Sequence, residues 1–189
     1  MPPIRLVEIH PILVHFPIAL LIVAVLLDFL ALFLRRAHLV EAATWCLGFG
    51  ALGLLAAELS GNLIEDHVNR ALAGNLLELH KTFALTTVFT FCTLFVLRIV
   101  WLSPHILSAL RPSIPATASL ERSLLAVLPI LGKTSPLLIS LYLLASLAGL
   151  VFLSITGFLG GSMVYDHGVG MPSGSIPFMV GRLLLCVRI

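Results

Sequence analysis

Charge is scarce in this chain: only 11% of its 189 residues are Asp, Glu, Lys or Arg, against 59% apolar residues. Soluble domains carry about a quarter charged residues, so this balance, with a mean hydropathy of +1.11, belongs to a membrane protein. The net charge is +2 and the basic residues are spread along the chain, which argues against nucleic acid as a partner. Cysteine is sparse as well. Cys46, Cys92 and Cys186 stand far apart, with no C-x-x-C pair, no C-x-x-C-H for covalent haem attachment and no disulfide framework. Also missing are the H-E-x-x-H of a zinc hydrolase, the Gly-Lys-Ser/Thr ending of a phosphate loop, and a Ser or Cys beside a His in a nucleophile motif. The N-terminus lacks the basic flank and small-residue cleavage pattern of a secretory signal, so its apolar run is expected to be retained.

What is present is long apolar sequence. Four segments, roughly 11–34, 42–60, 81–102 and 136–160, are long enough to cross a bilayer, since ~20 residues at ~1.5 Å rise span its hydrocarbon. The predicted fold is an all-α, integral membrane four-helix bundle running up-down-up-down, with a four-span domain over 1–170 and a short interfacial tail over 171–189. Arg35, Arg36, Arg98, Arg111, Arg122 and Lys133 fall on one side. By the excess of Lys and Arg in cytoplasmic loops, that side is inner. The expectation is a multi-pass inner-membrane protein with both termini on the periplasmic side. The 103–135 loop has room for a short interfacial helix over 120–131.

The polar residues inside these spans are the candidates for function, because an ionisable group in hydrocarbon is costly. From Pro11 to Leu34 only His15 and Asp28 can ionise. His10 and His15 lie at the outer end of the first span, His67 after the second, His80 at the head of the third and His167 after the fourth. Five of the seven histidines therefore gather at one face. The first and third spans are diagonal in such a bundle, so His15 and His80 are expected to converge across its core. Two neutral imidazoles so placed suit a haem b iron, each donating its other N–H to a carboxylate, carbonyl or water. His10, about 140° around the helix from His15, would serve a second site with His167 or cap the helix that Pro11 begins, and His67 is an alternative ligand.

Other residues add to that face. Pro17 removes a hydrogen bond to the Leu13 carbonyl and is expected to kink the helix near His15. Glu58 is placed either to orient an imidazole or to stand as a solvated carboxylate at the interface, and Asp28, near the inner end, suits a partner on another helix or a local polar role at the inner interface, with a proton path the minor reading. Gly53, Ala57 and Gly61 recur every four residues on one face of the second span, which permits close approach of a helix or a flat cofactor. Ala145, Gly149, Gly157 and Gly161 repeat the device. The Gly160-Gly-Ser-Met-Val-Tyr-Asp-His-Gly-Val-Gly170 run is expected to fold as a lid over the outer mouth.

The opening His10-Pro-x-x-Val-His15-Phe-Pro-Ile-Ala-Leu-Leu, the later Asp28, the Glu58-x-x-Gly61 ending of the second span, His80, and Gly160-Gly-x-x-Val-Tyr165-x-His167-Gly-Val-Gly170 resemble a bacterial membrane-protein family, domain of unknown function 2231. The resemblance covers nearly all of the first 170 residues. It implies a four-helix inner-membrane protein, in a family sometimes joined to cytochrome-type modules, and assigns no residue a role. The long 103–135 loop and the tail beyond Gly170 depart from its pattern and leave partner binding open.

Together these features describe an electron-transfer or accessory membrane subunit rather than a stand-alone enzyme. It would hold one or two b-type haems near its outer face and pass electrons between a periplasmic cytochrome and the membrane or a membrane redox complex. Two rival readings stand beside it. One is a haem-free transition-metal site built from His10, His15, His67 and His167 with Asp66 or Asp166. The other is a non-catalytic assembly protein whose histidines make only interfacial hydrogen bonds.

Overall fold

The computed structural model describes residues 6–65, 74–110 and 135–169, with side chains except at 6–8 and 103–110. They form four helices: α1 (Leu6–Leu34), α2 (Ala37–Ile64), α3 (Asn75–Leu110) and α4 (Pro136–Tyr165). Each contains a stretch of 26 to 30 residues apolar enough to cross a membrane. The helices extend beyond the apolar runs of the sequence, so that His10 and His80 lie within regular helix and not at its edge.

Local sequence sets the turns. Arg35 and Arg36 alone connect α1 to α2, and Arg35 takes a φ of 50°, the left-handed conformation that ends a helix sharply. Ser135 caps α4 by accepting from the Leu138 amide at 3.2 Å, and Pro136 follows where its missing N–H costs no helical bond. The far end of α4 closes around Gly168, whose φ is +67°.

The bundle is built from two hairpins. α1 packs most closely on α2 and α3 on α4, while α2 against α3 and α1 against α4 complete the ring. Its core holds Leu21, Val25, Leu47, Leu54, Phe91, Leu94 and Leu153. Small residues bring the backbones together: a Cβ on Gly50 would lie 2.6 Å from Leu21 Cδ2, and one on Gly149 would lie 3.0 Å from Phe91 Cζ. The outer surface is greasy, with Phe33, Leu63, Phe89 and Phe158 each at least three-quarters exposed. Such a surface suits lipid and not water. The hydroxyls of Thr82, Thr86, Ser140 and Ser154, all exposed, donate to the carbonyl four residues earlier, so each is satisfied within its own helix.

Gly50→Ala is expected to destabilise the bundle by about 1–3 kcal/mol through overpacking, read as a lower melting temperature in detergent. The same change in a Leu21→Ala background should cost less, because the atoms it strikes are gone. Equal losses in both backgrounds would show that this contact does not limit the packing.

Candidate functional site

At the end of the bundle where α1 and α3 begin, two histidines are held in matching ways. His10 Nδ1 lies 3.0 Å from the Ala57 carbonyl and 2.9 Å from Ser60 Oγ on α2. His80 Nδ1 lies 3.0 Å from the Thr156 carbonyl on α4. A carbonyl oxygen only accepts, so each Nδ1 carries the proton and donates. In the neutral imidazole that leaves the Nε2 lone pair available as an acceptor or ligand.

Glycine makes both bonds possible. In a helix the carbonyl of one residue points toward the side chain four residues on, and here those positions are Gly61 and Gly160. A Cβ at Gly61 would sit 3.2 Å from His10 Cε1, and one at Gly160 would sit 3.2 Å from His80 Cε1. The missing side chains admit the rings and bare the second lone pairs of Ala57 and Thr156. His10 and His80 lie within electrostatic range of each other across the bundle diagonal. Glu58 is within such range of His10, but the acceptor that orients the ring is the carbonyl next to it in sequence. Beside them Lys81 donates to both oxygens of Glu65 at 3.0 and 2.9 Å, tying α3 to the end of α2.

The other candidate histidines are placed elsewhere. His15 is exposed, with Nδ1 directed at the Pro11 carbonyl of its own helix. The buried stripe of α1 runs through Pro17, Leu21, Asp28 and Ala31, which leaves His15 on the outer side. The imidazole that shares the interior with His80 is therefore His10, not His15. His167 is exposed and its ring nitrogen lies 3.2 Å from the Ser162 carbonyl, while Asp166 accepts from Ser162 Oγ at 2.7 Å. Tyr165, Asp166 and His167 thus finish the last turn of α4. His67 and Asp66 lie outside the described residues, as do the 120–131 segment and the tail. Among the described residues no three of His, Cys, Asp and Glu come together as metal ligands would.

The opposite end holds a second polar cluster, with one residue from each helix. Asp28 of α1 and Arg98 of α3 form a buried ion pair. Arg98 Nη1 reaches Thr44 Oγ1 of α2 at 3.5 Å, and the guanidinium lies 4.9 Å from the centre of the Tyr142 ring of α4. Trp101 packs against that ring at 5.4 Å. Asp28 thereby finds its partner on another helix. Counting Arg98 as a loop-side charge missed this role. The signal was available: His10 and Asp28 are eighteen residues apart, as are His80 and Arg98, and eighteen residues make about five whole turns. Each histidine therefore shares a helix face with one half of the ion pair.

Among known proteins, the family model described as "Predicted membrane protein (DUF2231)" matches residues 7–173. No curated protein and no solved structure matches the chain.

Removing one member of the buried pair leaves an uncompensated charge, so Arg98→Met should destabilise the bundle by about 3–5 kcal/mol. The double variant Asp28→Asn with Arg98→Met should recover much of the loss. Thermal unfolding in detergent checks both, and a double variant no better than the single one would show that the carboxylate charge is not what Arg98 compensates.

Proposed function

We propose a function for a protein that belongs to the DUF2231 family of predicted membrane proteins: it is a redox subunit that holds a b-type haem between His10 and His80. The observation that carries the reading is the matched pair of imidazoles. Each projects from the first helix of its hairpin, each is fixed as the Nδ1–H tautomer by a carbonyl, and each has Nε2 left over. That is the donor state of an iron-ligating histidine, whose other ring N–H is normally held by a carbonyl or carboxylate. A haem supplies the remaining ligands from its porphyrin, so two histidines suffice, whereas a bare transition-metal ion asks for three or more. When bound, the haem would supply one-electron chemistry.

The residues of the chain then have definite parts. His10 and His80 would hold the iron, and Ala57, Ser60 and Thr156 would keep the two rings from turning. Gly61 and Gly160 give the two rings their seats against those carbonyls. His15 and His167 take no part in this site. The bilayer surrounds the bundle. Arg35 and Arg36 at the opposite end support a periplasmic histidine end, where a soluble cytochrome or a membrane redox complex would exchange electrons.

The test is a dithionite-reduced minus oxidised visible spectrum of the detergent-purified protein after expression with ample haem. A sharp low-spin haem b α-band is expected, lost or converted to high spin in His10→Ala and in His80→Ala and kept in His15→Ala and His167→Ala. A parent protein without the band sinks the haem reading. Metal analysis then separates a haem-free site from an assembly subunit.

A further inference from the structure

The two hairpins repeat one another in register. A shift of 70 carries His10 onto His80, Leu21 onto Phe91 and Asp28 onto Arg98, and a shift of 99 carries Gly50 onto Gly149, Ala57 onto Thr156 and Gly61 onto Gly160. The contacts repeat with the positions. The histidine bonds to Ala57 and Thr156 correspond, as do the close approaches of Leu21 to Gly50 and of Phe91 to Gly149. The hairpins are thus related by an approximate two-fold axis along the bundle, and the likeness is strongest at the histidine end, where His matches His and Gly matches Gly.

At the arginine end the correspondence breaks. Asp28 stands opposite Arg98, Ala31 corresponds to Trp101, and Ala43 corresponds to Tyr142. At the same place the bundle opens into a cleft of about 320 Å³, lined by Asp28, Ala31, Arg98, Trp101, Ile139 and Tyr142 among others. This volume is at the lower end of small-molecule sites, about 300–1,000 Å³. Its walls are mostly apolar, with the ion pair and the two aromatic rings as the exceptions.

We propose that this cleft binds the headgroup of a lipid-soluble quinone. Arg98 directs N–H donors to Asp28 and Thr44 and lies against the Tyr142 hydroxyl, which the same pair engages, so the remainder of its five N–H groups are the donors the cleft offers. A ligand with carbonyl acceptors meets donors there. Asp28 already balances the guanidinium, so an anionic head would be desolvated beside a carboxylate without gaining a free cation. A neutral head is favoured. Tyr142 is buried, with the Arg98 guanidinium and the Trp101 ring against it, so half-buried Trp101 is the aromatic that meets a flat ring, and the apolar helix surfaces suit an isoprenoid tail left in the lipid. The proposal rests on the cleft and its asymmetry, and it holds whether or not His10 and His80 carry a haem.

The experiment uses the full chain in detergent with a short-chain ubiquinone as probe. Of the two tryptophans, Trp45 faces outward and is 68% exposed, so Trp45→Phe leaves Trp101 as the reporter in the cleft. Saturable quenching of Trp101 fluorescence by the quinone is expected. Tyr142→Phe, which keeps the ring and removes the hydroxyl that holds Asp28 and Arg98 in place, should weaken the half-saturation about tenfold. Ala31→Phe, which fills the cleft, should abolish the saturable phase while far-UV circular dichroism stays helical. Quenching that only rises linearly with the quinone in the micelle, or curves unchanged by both substitutions, overturns the proposal.

Discussion

Hydrocarbon offers no hydrogen-bond partner, and every polar side chain placed inside this bundle has to find one in the protein. The solutions are of two kinds. Hydroxyls turn back onto the helix that carries them, as Thr87 does to the Phe83 carbonyl and Ser146 to the Tyr142 carbonyl. Histidine, aspartate and arginine reach across to another helix, and each such bond fixes how two helices rotate relative to one another. Among the described residues no buried side-chain nitrogen or oxygen is left without a partner. Most of the hydrophobic effect is spent once the helices are in lipid, so these cross-helix bonds and the close packing of small residues are what specify the arrangement.

Glycine is used in two distinct ways along the same faces. Gly50 and Gly149 lie in the middle of the bundle, where large apolar side chains from the neighbouring helix press against backbone. Gly61 and Gly160 lie at the histidine end, where the missing side chain bares a carbonyl and an imidazole takes the space. The stripe of Gly53, Ala57 and Gly61 therefore combines helix packing with polar contact. The close approach of Gly53 to Pro17, 3.0 Å for an added Cβ, is packing, and four residues on from Ala57 the same stripe serves His10.

The two ends of the bundle differ in chemistry although they follow from one repeated hairpin. At the histidine end equivalent positions carry equal residues, so a group on the axis meets two like donors. At the arginine end the equivalent positions carry opposite charges, and they neutralise each other across that axis. The apolar layer of Leu21, Leu54, Phe91 and Leu153 separates the two clusters.

The four spans were legible in the sequence because a helix in lipid must be apolar over some twenty residues, whatever its neighbours do. The family, too, could be read from the histidine and glycine motifs, whereas Asp28 could be read only as a residue with either a partner on another helix or a local polar role. What could not be read from composition or local spacing was which histidine faces inward. His15 sits deeper in its apolar run than His10 and so stands out in the sequence, but rotation about the helix axis decides exposure, and that rotation is set by packing on three other helices. The chain alone determined that four helices cross a membrane with histidines near one end. Only the tertiary structure decided that His10 meets α2 at Ala57, His80 meets α4 at Thr156 and Asp28 meets Arg98, because each of these bonds depends on residues far apart in sequence and brought together by helix packing.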